Sequence, residues 1–147
     1  AMFMTIADLD GDGLDDVIIA TEEAIAISWL RRLDKSGDKW QEYKIPFPNN
    51  VGGRGKGIAV ADIDKDGKQD IIITCEHATG RTGVFWMSYV DSPTSGVWTR
   101  NEISGIKGAK FDIIQLFDID GDGDLDVLTT EEAEGLGVIW YENPLIN

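Results

Sequence analysis

The sequence is poor in cysteine, in basic residues and in long apolar runs. Its single cysteine, Cys75, excludes an intrachain disulfide in the 147 residues. No run approaches the roughly 18 consecutive apolar residues of a membrane-spanning helix, so we expect no membrane insertion. Lys and Arg number 13 against 27 Asp and Glu, and the resulting net charge of −14 repels phosphate backbones. We therefore expect no nucleic-acid partner.

A sustained helical period is also missing, and short β-branched runs take its place. Val17-Ile18-Ile19 and Ile71-Ile72-Ile73 are bounded by Gly and Asp, which is typical of strands. Residues 20–33 allow a short helix on their own. The equivalent segments of the later repeats contain Gly80, Gly83, Gly135 and Gly137, so we interpret all three as strands.

One Asp-rich phrase occurs three times. Asp8-Leu9-Asp10-Gly11-Asp12-Gly13-Leu14-Asp15-Asp16 returns 54 residues later from Asp62 and a further 56 residues later from Asp118. Each copy is preceded by an apolar run, followed by a β-branched run, and then by a run that ends in Trp29, Trp86 or Trp140. Three copies at a near-constant period indicate one supersecondary unit repeated.

The repeated phrase fits Ca²⁺, which takes six to eight hard oxygen ligands. Alternate carboxylates of a tight loop converge on one point, a Gly at position 6 allows the sharp turn, and position 7 offers a backbone carbonyl. The predicted carboxylate ligands are Asp8, Asp10, Asp12 and Asp16, Asp62, Asp64, Asp66 and Asp70, and Asp118, Asp120, Asp122 and Asp126. The predicted carbonyl donors are Leu14, Lys68 and Asp124.

An EF-hand loop starts in the same way but needs a Glu at position 12 and a helix on each side. Position 12 here is Ile19, Ile73 or Thr129, inside a predicted strand. Asp-Gly turns that bind nothing would leave four carboxylates crowded without a cation. We therefore predict three Ca²⁺ sites with a structural role.

Each repeat contains four predicted strands. We therefore predict an all-β fold of three four-stranded antiparallel propeller blades, of which the last is incomplete. The repeats cover about residues 1–50, 51–105 and 106–147 of a single β-propeller segment, 1–147. Propellers need roughly four to eight blades. We therefore expect the partner to be copies of the same chain or the rest of a longer propeller.

These loops and strands resemble the FG-GAP/VCBS repeats, the calcium-loop propeller blades of integrin α-chains and many secreted bacterial proteins. The twelve Asp residues match the ligands of that family position by position. Phe-Gly and Gly-Ala-Pro signatures are not evident, and the phrase from Gly137 to Pro144 is similar to the bacterial branch. The resemblance implies adhesion, carbohydrate-binding or enzyme-associated roles, so function stays open.

Several further residues recur or stand alone. One Glu follows each loop at the same position of the repeat, at Glu22, Glu76 and Glu132. We predict that these side chains form either a contact to a neighbouring blade or a ring of carboxylates at a channel mouth. For the repeated Trp residues we predict packing between blades, with a platform for sugar stacking as the alternative, and Trp40 and Trp98 are the better candidates for exposed aromatics. His77, the single histidine, adjoins Glu76 and permits acid–base chemistry.

The leading hypothesis is a non-catalytic, Ca²⁺-binding propeller module for glycan or protein binding. The alternatives are a lyase or hydrolase acting on polysaccharide and a unit whose role is self-assembly. Because low-affinity Ca²⁺ sites fill near millimolar Ca²⁺, we expect an extracellular or periplasmic setting.

Overall fold

The structure, a computed structural model, describes residues 3–21 and 26–145, which form three antiparallel sheets of four, four and three strands. Blade 1 contains β1 (Phe3–Ala7), β2 (Asp16–Ala20), β3 (Ala26–Arg32) and β4 (Trp40–Pro46). Blade 2 contains β5 (Arg54–Ala61), β6 (Asp70–Glu76), β7 (Val84–Tyr89) and β8 (Trp98–Glu102). Blade 3 contains β9 (Phe111–Phe117), β10 (Asp126–Glu131) and β11 (Gly137–Tyr141). The predicted all-β fold, with an incomplete third blade, is confirmed.

Within each blade the strands pair in chain order, as in a meander. The helix alternative for residues 20–33 is excluded where the chain is described, because β3 pairs with both β2 and β4. Short connections join the strands, and one of them contains a single 3₁₀ turn, Pro93–Ser95. None of the described segments is a helix long and apolar enough to cross a bilayer.

The blades pack face to face around two apolar cores. The first core joins blades 1 and 2 and includes Ile18, Trp29, Ile71 and Phe85. The second core joins blades 2 and 3 around Phe111 and a few aliphatic side chains. Blade 2 is therefore covered on both faces, and every residue of β6 is buried, which explains its continuous apolar run.

Two glycines of blade 2 allow the third blade to approach closely. A Cβ atom on Gly83 would lie 2.1 Å from the ring of Phe111. A Cβ atom on Gly57 would lie 2.8 Å from the carbonyl oxygen of Asp112. Gly57, inside β5, and Gly83, directly before β7, therefore serve blade packing.

Candidate metal centre

Each Asp-rich loop connects the first and second strands of one blade, at residues 8–15, 62–69 and 118–125. The loops share one closing contact between position 1 and position 6. The backbone N–H of Gly13 donates to Asp8 Oδ2 at 2.8 Å, and Gly67 and Gly123 donate to Asp62 and Asp118 at 3.0 Å. These glycines have φ of +84°, +88° and +98°, the left-handed region that the sharp turn requires.

Position 5 of each loop forms a second shared contact. The side chains of Asp12, Asp66 and Asp122 each accept a hydrogen bond from the backbone N–H two residues later, at 2.9, 2.9 and 3.0 Å. This Asx turn uses one carboxylate oxygen and leaves the other oxygen for a further contact. The three loops therefore have the same local conformation.

Position 9 begins the second strand and is buried in all three blades, at Asp16, Asp70 and Asp126. Each of these carboxylates accepts a hydrogen bond from the N–H at position 2 of its own loop. Asp16 also accepts from Trp29 Nε1 at 2.8 Å and from the N–H of Arg32 at 2.7 Å. Asp16 therefore fixes the first loop to the third strand of its blade, a role beyond the one predicted for it.

The carboxylates converge as the repeat predicts. In each loop three oxygen atoms, one from each of three Asp side chains, lie within 4.8 Å of one another. These sets are Asp8, Asp10 and Asp12, then Asp62, Asp64 and Asp70, then Asp118, Asp120 and Asp122. The ligation expected of Asp16, Asp66 and Asp126, and of the carbonyls of Leu14, Lys68 and Asp124, stays a prediction.

Two orphaned oxygen atoms, one in the first loop and one in the second, fit a bound cation. Oδ1 of Asp10 and Oδ1 of Asp62 are buried and have no hydrogen-bond partner among the described residues. An unsatisfied buried carboxylate oxygen is costly, and a metal ion removes that cost. The donor set is purely oxygen, which suits Ca²⁺ rather than a metal that prefers nitrogen or sulfur.

In the second loop, burial and crowded carboxylates shift the pKa of one Asp side chain. The pKa of Asp70 is raised to about 7, mainly by burial, with the neighbouring carboxylates of Asp64, Asp66 and Asp62 also raising it and the hydrogen bond from Ile63 lowering it. A carboxylate surrounded by like charges becomes easier to protonate. A bound divalent cation would favour the charged form and reverse this shift.

The first loop differs from the others because it contains a cation of the protein. Arg31 Nε lies 2.5 Å from Asp10 Oδ2, and Arg31 Nη2 lies 3.3 Å from Asp12 Oδ2. The equivalent residues, two positions after the repeated Trp, are Ser88 and Glu142. Sequence reasoning missed Arg31, although this difference between the repeats was visible.

The Glu residues after the loops form separate contacts, and Glu22 lies outside the described residues. Glu76 is buried, pairs with Arg54 at 2.7 Å, and lies 3.6 Å from Lys56 Nζ. Lys56 also contacts Asp112 of blade 3 at 3.1 Å, so this network joins two blades. Glu132 is exposed and pairs with Lys110.

Glu131, one residue earlier, is the buried anion of this region, and its role was not predicted. Its carboxylate accepts hydrogen bonds from five backbone N–H groups, those of Ala109, Lys110, Ala133, Glu134 and Leu136. Burial alone would raise the pKa of Glu131, but these hydrogen bonds outweigh burial and lower it to about 2. Glu131 therefore fixes two segments of blade 3.

His77 is exposed at the turn after β6, with φ of +56°. The adjacent Glu76 carboxylate is directed to Arg54 and Lys56. The geometry therefore gives the acid–base hypothesis for His77 and Glu76 no added support.

The repeated Trp residues differ in exposure along the chain. Trp29 is 0% exposed, Trp86 is half-buried and Trp140 is 44% exposed. Trp40 is exposed as predicted. The expectation for Trp98 is wrong, because it is half-buried and its ring packs edge-on against Tyr89 at 5.1 Å.

The fold and the three loops together define a repeat protein of propeller-like blades with an acidic loop in each blade. Residues 8–73 match the family model of the FG-GAP-like repeat. The matched range runs from the first acidic loop into β6 and includes the second loop. The chain therefore carries an FG-GAP-like repeat, in agreement with the resemblance seen in the sequence. No curated protein and no solved structure matches the chain.

Proposed function

We propose that the chain is a non-catalytic, Ca²⁺-binding propeller module in which each acidic loop holds one Ca²⁺ ion. The observation that carries this proposal is the shared loop geometry, with three carboxylate oxygens within 4.8 Å of one another in every blade. When bound, Ca²⁺ would supply charge neutralisation and would cross-link the first and second strands of its blade. Millimolar Ca²⁺ outside the cytoplasm would fill such sites.

Calorimetric titration of the metal-free chain with Ca²⁺ tests this proposal. We expect three bound ions, and one fewer in each of the variants Asp10→Asn, Asp64→Asn and Asp120→Asn. Asp15→Asn is the matched control, because Asp15 is an exposed loop residue outside the repeated positions. At a Ca²⁺ concentration one hundredfold above Kd, each site should stabilise the fold by about 2.7 kcal/mol. A chain with no calorimetric Ca²⁺ signal and no thermal shift would contradict the proposal.

A groove between blades 2 and 3 supports glycan binding as the activity of the module. It encloses about 730 Å³, and its lining includes Trp86, Tyr141, Asn101 and Glu102. Aromatic faces beside amide and carboxylate groups suit the apolar faces and hydroxyl groups of a sugar ring. We propose a carbohydrate as the ligand.

A glycan array probed in the presence of Ca²⁺ tests this second step. We expect retention of a defined glycan class, weakened by Asn101→Ala and unchanged by Trp40→Ala, an exposed aromatic in blade 1. His77→Ala should leave binding intact, whereas the lyase or hydrolase alternative requires this variant to lose turnover of the retained glycan. Absence of any retained glycan would contradict the carbohydrate proposal and leave the Ca²⁺ proposal standing.

A further inference from the structure

Each blade has two faces that repeat along the chain. We define the front face by the row Ile6, Val17 and Leu30 in blade 1, and the register places Val60, Ile71 and Met87 at the same positions in blade 2. The back face of each blade carries the repeated Trp. Alternate residues of a strand point to opposite faces, so equivalent positions face the same way in every blade.

Both interfaces within the chain use the same pairing, front against back. Ile71 and Met87 on the front face of blade 2 share a core with Ile18 and Trp29 on the back face of blade 1. Val127, on the front face of blade 3, shares a core with Ile72 on the back face of blade 2. A front face is therefore complementary to the back face of the preceding blade.

The two terminal faces keep the apolar residues of these interfaces but are uncovered. On the front face of blade 1, Met4 is 66% and Ile6 is 63% exposed, whereas Ile58, the equivalent of Met4, is 7% exposed. On the back face of blade 3, Val138 is 71% exposed, whereas the equivalent Ile27 of blade 1 is fully buried. Contiguous apolar surface of this kind marks an interaction site.

We propose that a second copy of this chain covers both terminal faces, with the front face of each blade 1 against the back face of the other copy's blade 3. The internal interfaces provide the template, because each terminal face already has a complementary face at the opposite end of the chain. Two copies give six blades, within the four to eight that propellers typically contain, whereas three copies give nine. A front-to-back contact closes into a ring when the rotation permits it.

This inference rests on the proposed propeller module, but its test does not depend on Ca²⁺ stoichiometry. Light scattering coupled to size exclusion, in Ca²⁺, should give twice the chain mass of 16.2 kDa. Ile6→Glu on the front face and Val138→Glu on the back face should each give a monomer. Both side chains are more than half exposed, so the monomer should keep its Ca²⁺ sites and near-ultraviolet circular dichroism. Val90→Glu, at an exposed turn outside both faces, should remain a dimer.

Mixing the two monomeric variants distinguishes this pairing from the alternatives. The Ile6→Glu copy keeps an intact back face and the Val138→Glu copy an intact front face, so an equimolar mixture should form dimers through one contact. A front-to-front or back-to-back dimer would be broken by one variant alone, which would overturn the proposal. Open higher oligomers would overturn the six-bladed ring. If the wild type is a monomer that still binds Ca²⁺, the proposed second copy is overturned and the Ca²⁺ proposal stands. The two terminal faces would then pack against blades of a longer chain.

Discussion

At the scale of single residues, Arg31 makes the first acidic loop unlike the other two. Its guanidinium group is already paired with Asp10 and Asp12, while Ser88 and Glu142 occupy the equivalent positions in blades 2 and 3. A Ca²⁺ ion in the first loop would compete with this resident positive charge for the same carboxylates. We therefore expect the first loop to be the weakest of the three sites.

Arg31→Gln removes the competing charge and should tighten Ca²⁺ binding at the weakest site by roughly tenfold, about 1.4 kcal/mol. Chelator competition measures this affinity directly. Arg81→Gln is the control, because Arg81 is exposed at the turn after β6. If Ca²⁺ binding at the first loop is unchanged or weaker in Arg31→Gln, the guanidinium does not oppose the metal.

Glu131 gives the fold a specific response to acid. The pKa of its carboxyl is about 2 in the folded chain, below the ordinary value of 4.5. Because the folded pKa is depressed, the stabilisation is present above pH 4.5 and is lost as the pH falls from 4.5 towards 2. The difference corresponds to roughly 3 kcal/mol of unfolding free energy.

Urea unfolding at a series of pH values measures this contribution. We expect Glu131→Gln to be less stable than the wild type at neutral pH, with the difference shrinking as the pH falls through that window. Glu132→Gln, on the exposed neighbour, should follow the wild type at every pH. A constant difference between Glu131→Gln and the wild type down to the lowest pH would refute the ionic role.

At the scale of the strands and loops, the repeat carried most of the information in the sequence. One short apolar run is ambiguous between helix and strand, but three aligned runs share one structure, and the glycines of the later copies excluded the helix at Ala26–Arg32. The loops were predictable for a local reason. Residues 8–16 close through contacts between neighbours in the chain, such as Gly13 to Asp8.

The roles that could not be predicted from the sequence depend on contacts between residues far apart in the chain or on hydrogen bonds to the backbone. Arg31, near the end of β3, contacts Asp10 in the loop between β1 and β2, so only the packed blade brings the two together. Glu131 accepts from backbone N–H groups, which every sequence contains and no motif records. Trp98 could lie on either face of an outer strand, and its contact with Tyr89 decides the outcome.

At the scale of the whole molecule, the excess of negative charge opposes folding, and cations bound in the loops would reduce it. The chain carries a net charge of −14, and three Ca²⁺ ions would bring it to about −8. Self-repulsion destabilises a compact state, and salt screens that repulsion. The same chain should therefore respond to salt differently with and without Ca²⁺.

Thermal unfolding in EDTA should shift to higher temperature as NaCl is added, and the shift should be smaller in Ca²⁺. Each metal-free loop concentrates four or five carboxylates within nine residues, where salt screening reduces the repulsion most, whereas a bound ion neutralises the carboxylates directly. The Asp10→Asn, Asp64→Asn and Asp120→Asn triple variant is the control, since its salt response should not change on adding Ca²⁺. Equal salt responses of the wild type in EDTA and in Ca²⁺ would mean that the repulsion lies outside the loops, and the structural role of the metal would then have to rest on strand cross-linking alone.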